Sequence, residues 1–253
     1  MIDPSSLADK AALVIGGSGG IGAATAELFA RAGARVAITH RPGSEKEAVA
    51  KAILAKLPGK GHAAFPADVA DTASLIALRE AIESRFSRLD VLVNTSGFTK
   101  PVPHGDLDAL DDEFIDRMFA VNWRGQFAAI RTFATLLRAS GDGLIVSVSS
   151  VAGSSGNGSN IAYGAAKAGI DVMTKSLARV LAPQVRVVGV APGAVDTSFV
   201  PGRGAEFNAK AAAATPLRRI ASAKDVAATV LACATHLTFV TGTTIRVDGG
   251  RSL

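Results

Sequence analysis

The chain has 253 residues, 48% hydrophobic and 19% charged, which reads as a folded protein with ample material for a buried core. The formal net charge is +5, aromatics make up only 5%, and the basic residues are scattered; this argues against nucleic-acid binding and leaves a leaning toward anionic ligands, phosphorylated cofactors included. The single cysteine, Cys233, excludes an internal disulfide framework or a cysteine-based zinc cluster, and no apolar run approaches the roughly 20 residues of a membrane-spanning helix.

The opening "MIDPSSLADK" has neither a basic start nor an apolar stretch, so a cytoplasmic protein with no membrane partner is expected. Short apolar runs then alternate with helix-period runs. "AALVI" (11–15) predicts a strand and "GIGAATAELFARAG" (20–33) a helix. "RVAIT" (35–39) predicts a second strand, and 44–57 a helix with Ser44 as its N-cap. A third strand falls within 62–68. Residues 71–86 form an amphipathic helix with Leu75, Leu78, Ile82 and Phe86 on one face. Strands follow at 89–94, 144–150, 185–193 and 243–249. Helices are expected at 111–140 as one long element, at 161–182 up to Pro183, and at 223–235.

This alternation predicts one α/β domain over 1–253: a doubly wound, Rossmann-type sheet of seven parallel strands with helices on both faces. Such sheets bind ligands beyond the carboxyl ends of their strands, so the loops there should hold the chemistry.

The first of those loops is "VIGGSGGIG" (14–22). Glycines at 16, 20 and 22 suit a tight turn, close approach of a pyrophosphate and packing of the helix on the sheet. Gly16, Ser18, Gly19, Gly20, Ile21 and Gly22 are therefore expected to contact a dinucleotide. No lysine follows the last glycine, so the loop is not a nucleoside-triphosphate cradle. At the end of the second strand an acid would select NAD, but here stand His40 and Arg41. A guanidinium suits a phosphate monoester, so NADP(H) is expected in preference to NADH.

Tyr163 is the only tyrosine, and Lys167 follows it by one helical turn, on the same face. Ser150 ends the strand before that helix. Reducing a carbonyl by hydride leaves an alkoxide that needs a proton, and a phenol of pKa about 10 is a weak source. A cation one turn away is expected to lower that value. Lys167 also has protons to spare for the nicotinamide ribose, and Ser150 can hold the substrate oxygen.

Together these features resemble the short-chain dehydrogenase/reductase family over nearly the whole chain, near its 3-oxoacyl-carrier-protein reductases. The glycine motif, Asp68-Val69 after the third strand, the "NTSG" turn (94–97), Asn122, Ser150, Tyr163 with Lys167, and Pro192-Gly193 occur in family order. The resemblance implies that Ser150, Tyr163 and Lys167 are catalytic, and that Asn122 holds a water linking the lysine to solvent. It implies cofactor contacts from Asp68 and Val69, from Asn94, Ser96 and Gly97, from Tyr163 and Lys167, and from Pro192, Gly193, Val195 and Thr197. The family usually has Thr where Ile15 stands, "NNAG" where this chain has "NTSG", and Asn where Val188 stands.

Substrate contacts are expected from 97–110, 152–162 and 196–219, the last read as a mobile lid. Phe98, Phe199, Val200 and Phe207 offer an apolar wall, and Arg203 a charge for an anion. Carrier-protein reductases tend to have a basic cluster before the fifth strand; here only Arg138 stands there. A small free ketone, aldehyde or secondary alcohol is therefore the expected substrate, with a 3-oxoacyl-carrier-protein reductase as one alternative and a non-catalytic NADP(H) sensor as another. The four histidines are dispersed, so no metal site is expected. By family analogy the chain forms a homotetramer, or a homodimer.

Overall fold

The computed structural model describes residues 6–43 and 45–253. Seven strands, β1 (Ala11–Ile15), β2 (Arg35–His40), β3 (Ala63–Pro66), β4 (Val91–Asn94), β5 (Gly143–Val148), β6 (Val185–Pro192) and β7 (Thr243–Val247), form one parallel sheet in the order β3-β2-β1-β4-β5-β6-β7. The order reverses between β1 and β4, and such a switch point opens a crevice at the strands' carboxyl ends.

Every residue of β1 is buried because both faces of the sheet are covered. Alternate residues serve two separate cores. Leu13, Ile15, Leu92 and Ile145 pack on one side with helices α3 (Thr72–Phe86), α5 (Gly125–Ala139) and α7 (Ile161–Leu181). Val14, Ile38, Val93 and Val146 pack on the other with α1 (Gly20–Arg31), α2 (Lys46–Leu54) and α9 (Ala223–Thr235). The expected face of α3 is the buried one, and Phe29 and Phe133 are the largest wholly enclosed side chains of the two layers.

Helix ends follow their side chains. Asp71 caps α3 by accepting from Ala73 N, and Ser222 with Asp225 forms a capping box on α9. Arg219 pairs with Asp225 and holds its carboxyl well below the usual range. Helix α7 ends at Leu181, ahead of Pro183. Ser44, the expected cap of α2, lies outside the described residues.

The long helix expected over 111–140 is interrupted. It runs as α4 (Asp112–Phe119), a π-helical turn (Ala120–Arg124) and α5. The cause is the Asn122 side chain, whose Nδ2 donates to Met118 O at 3.2 Å and so competes for a carbonyl of the helical ladder. Two short helices were not legible in the sequence: α6 (Ala152–Ser155), in a Gly/Ser-rich stretch, and α8 (Ala205–Ala213), inside the expected lid. Asn208 of α8 donates to Asp196 at 2.9 Å, tying the helix to the segment that follows β6.

Candidate active site

A cavity of about 990 Å3 lies across the switch point, lined by the loops after β1 to β6 and by the chain's tail. The turn after β1 sets one end. Gly16 has φ +80°, and a Cβ there would meet Ser96 N at 2.8 Å. A Cβ on Gly22 would stand 2.5 Å from Gly16 O, so α1 sits against its own entry loop. Gly19 begins α1 without a side-chain cap, which leaves the first amides of the helix for an anion. A cradle that any side chain would fill, with free amides behind it, fits the pyrophosphate of a dinucleotide.

His40 and Arg41 line the same cavity at the end of β2, with Asp68 and Val69 beyond β3. The His40 ring is buried, with Nδ1 3.2 Å from Arg41 O. The Asp68 carboxylate accepts from Ala70 N at 2.9 Å. On the far side of the switch point, Ser96 and Gly97 follow β4, and Pro192, Gly193, Val195 and Thr197 follow β6; all line the cavity. The buried Ser96 Oγ has no hydrogen-bond partner among the described residues.

Ser150, Tyr163 and Lys167 meet at the centre. Ser150 follows β5, and its hydroxyl sits near enough to the Tyr163 phenol to favour the phenol's ionised form. Lys167 is buried, its Nζ donates to Val148 O at 2.7 Å, and it stands 5.6 Å from the centre of the Tyr163 ring. Burial pushes the phenol up to about 12, against the pull of Ser150 and of Arg203. Burial likewise pushes Lys167 down to about 8, while Asp171 opposes. The phenol is thus raised where a lowering by the lysine was expected: loss of water disfavours both charges in this pocket, and the opposing pull comes from Ser150 and Arg203.

Two of the expected residues stand back from the cavity lining. Asn94 does not line the cavity; it is wholly buried in β4, with Nδ2 3.4 Å from Ser147 Oγ. Strand alternation turns it inward, and Thr95 faces the cavity in its place. Asn122 is also wholly buried and stands behind the wall. Its Oδ1 accepts from Phe98 N at 3.1 Å and its Nδ2 donates to Phe98 O at 3.0 Å, so it fixes the loop after β4.

A family described as Enoyl-(Acyl carrier protein) reductase matches residues 16–252. The chain is 36% identical to the cis-4-hydroxycyclohexanecarboxylate dehydrogenase of Sinomonas cyclohexanicum, over 97% of each chain. It is 35% identical to a 3-oxoacyl-(acyl carrier protein) reductase of Staphylococcus aureus, over 95% of this chain and 97% of that one. A solved dehydrogenase/reductase from Sinorhizobium meliloti superposes with a TM-score of 0.87 at 34% identity, covering 99% of this chain and 98% of that one. The chain belongs to the short-chain dehydrogenase/reductase family. It is an oxidoreductase of that family, which acts on C=O and CH–OH groups with a nicotinamide cofactor.

Two departures from the reductase pattern compensate each other. With Ile15 in β1, the Gly16 amide is met by Thr39 Oγ1 of β2 at 3.0 Å. Thr95, the second residue of "NTSG", donates its hydroxyl to Ile15 O at 2.7 Å. Thr39 of β2 and Thr95, just past β4, thus brace the glycine turn from either side of β1. Val188 is wholly buried in β6 and simply joins the apolar core.

Asn160 carried no sequence signal beyond preceding a helix, yet it sets the tyrosine. Its Oδ1 accepts from Tyr163 N at 2.7 Å, capping α7, and its Nδ2 donates to Lys100 O at 2.7 Å. The side chain is wholly buried and ties the loop after β4 to the helix that carries Tyr163 and Lys167. Asn160→Ala is expected to cost roughly 2–4 kcal/mol, from a lost cap plus an orphaned buried carbonyl. Chemical denaturation measures this, and kcat should fall more than KM rises because the phenol loses its position.

Proposed function

We propose that the protein is an NADP(H)-dependent enzyme that moves a hydride between the nicotinamide and a small ketone, aldehyde or secondary alcohol. The observation that carries this reading is the Ser150–Tyr163–Lys167 cluster at the centre of a cavity whose far end is the glycine turn with Arg41. When bound, the nicotinamide supplies or accepts the hydride. Gly16 to Gly22 would hold its pyrophosphate, Arg41 the adenosine phosphate, and Pro192, Gly193 and Thr197 the nicotinamide end.

The chain's own groups handle the proton. Ser150 and Tyr163 together offer hydroxyl donors to the substrate oxygen. A phenol held at about 12 keeps its proton at neutral pH and gives it to oxygen as negative charge develops there. Lys167, directed by its bond to Val148 O, supplies positive charge under the ring. In the alcohol direction the phenol works as the base. Phe199, 6.1 Å from the Tyr163 ring centre, shields the reacting space from water.

Arg138, the lone basic residue before β5, is tied to Val180 O at 3.2 Å. That supports a free substrate over a carrier-bound one, although the Staphylococcus relative supports the carrier-bound alternative. Comparing a free ketone with a 3-oxoacyl carrier protein separates the two. No helix among the described residues is long and apolar enough to cross a membrane. Val172 and Val180 are exposed on α7, with Phe239 and Leu253 exposed near the tail; these support a homotetramer as the assembled form. Segment 196–219, with α8 inside it, is proposed as the substrate lid.

The cofactor reading has its own test. Arg41→Ala should lower the ratio of kcat/KM with NADPH to kcat/KM with NADH by about ten- to a hundredfold, since a charged hydrogen bond to the phosphate is lost. Steady-state rates with both cofactors measure it. An unchanged ratio, or a wild-type preference for NADH, overturns the assignment.

A further inference from the structure

The two ends of the cavity differ in charge. Carboxylates line it only at Glu45 and Asp68, beside Arg41 after β2 and β3. The rest of the lining holds three arginines, Arg117, Arg203 and Arg251, and no carboxylate. Arg117 lies over the Phe98 ring, 5.3 Å from its centre, whereas Arg203 and Arg251 flank α8. They reach the site from different parts of the chain. Arg203 precedes α8, and its guanidinium lies 4.2 Å from the centre of the Phe207 ring. Among the described residues it makes no hydrogen bond and no ion pair. Arg251 comes from the tail after β7 and donates from Nη1 to Ala211 O of α8 at 2.9 Å.

The tail's own acid does not neutralise this pair. The Asp248 carboxylate is taken up by Gly250 N and Ser252 N, each at 3.0 Å, and by the Ser252 hydroxyl. The Arg203 guanidinium lies close enough to Arg251 for the two charges to repel, and close enough to Tyr163 to favour a phenolate there. Two cations that repel each other, in a partly dry space with no acid of the chain between them, cost energy unless an anion joins them. The unbonded guanidinium of Arg203 and the remaining donors of Arg251 match a carboxylate in geometry. The anion's source is not the dinucleotide's adenosine phosphate, since Arg41 lies at the opposite end. A dinucleotide would also fill much of a cavity of about 990 Å3, so the remaining ligand is compact.

We infer that Arg203 and Arg251 form a carboxylate subsite, and that the substrate is a small keto acid or hydroxy acid whose carboxylate they hold while its carbonyl or hydroxyl carbon faces Tyr163. This rests on the oxidoreductase reading above and narrows it from carbonyl compounds in general to those bearing an acid.

The test is calorimetric titration of the NADP-loaded protein with levulinate and with oxocyclohexanecarboxylate, each beside its methyl ester. The wild type should bind at least one acid about ten- to a hundredfold more tightly than its ester. Arg203→Gln, whose side chain supports no other contact but the Phe207 ring, should abolish most of that preference, and the double change with Arg251→Gln the rest. Melting curves of each variant identify any that fail to fold, and Arg203→Gln remains decisive if the double variant does. Equal binding of acids and esters by the wild type overturns the inference, as does an acid preference that survives in Arg203→Gln. A loss of NADP affinity matching the loss of acid affinity overturns it too, because the arginines would then serve the dinucleotide. Acid preference in the titration, with no NADPH oxidised when the same acids are assayed separately with NADPH, upholds the subsite and overturns the proposed hydride transfer to such acids.

Discussion

Replacing Tyr163 with Phe should lower kcat for carbonyl reduction by about a thousandfold, within the range that a positioned proton donor contributes. The argument is one of proton supply. Hydride addition places negative charge on oxygen, and the nearest acid is a phenol that burial holds at about 12, so it is protonated at every pH where the protein is usable. Phe preserves the ring and its contact with Phe199 but leaves only Ser150 beside the oxygen. Ser150 has no base behind it and cannot replace the donor. Stability should hardly change. The variant gives up only the hydroxyl's interaction with Ser150, so the cost should stay within about 1 kcal/mol, or roughly 2–4 °C in Tm for a chain of this size. Single-turnover absorbance of NADPH separates this from a binding defect. A variant that retains more than a tenth of wild-type kcat would mean that the proton comes from elsewhere.

Lys167→Met should abolish turnover and yet stabilise the fold at neutral pH. The sign follows from the shift. Lys167 titrates at about 8 when folded against 10.5 for an exposed lysine, so between these limits the folded chain holds fewer protons than the unfolded one. Stability from this group therefore rises with pH across that window. Below about pH 8 the folded state carries the full burden of a buried ammonium, about 3 kcal/mol. Methionine removes the burden and also the bond to Val148 O, worth about 1 kcal/mol. The variant should be more stable than the wild type by roughly 2 kcal/mol at pH 7, with the difference shrinking to nothing or reversing near pH 10.5. Above pH 10, Tyr163 acts in the other direction in both proteins, since the folded state keeps a proton that the unfolded chain releases. Paired denaturation curves at several pH values test the whole pattern. An advantage that grows with pH would refute it. Such a cost, tolerated in the wild type, is what a site that needs a buried cation demands.

The sheet was legible because its signal is local: seven short strand-like runs, the five inner ones buried almost throughout, separated by helix-period segments. The tyrosine, the lysine and the glycine turn were legible because their spacing lies within one element or one turn. What escaped depends on contacts between distant segments. Asn94 and Asn122 are polar and stand in the family's order, yet strand alternation and the π-helical turn put both behind the cavity wall. Asn160 and Arg251 act only because the chain brings the loop after β4 and the tail to the same place. The phenol's shift was misjudged because charge proximity is visible in a sequence and desolvation is not. Helix α8 hid in "KAAAA", which suits a helix but equally an unstructured excursion.

The threonine bracing of the first turn has a consequence for the energetics of cofactor capture. Thr39 and Thr95 lock the Gly16 segment to strands on both sides of β1, so the segment has little conformational freedom left to surrender. Association should then carry a small entropic toll at the pyrophosphate, and its heat signature should report water release and charge contacts instead of loop ordering.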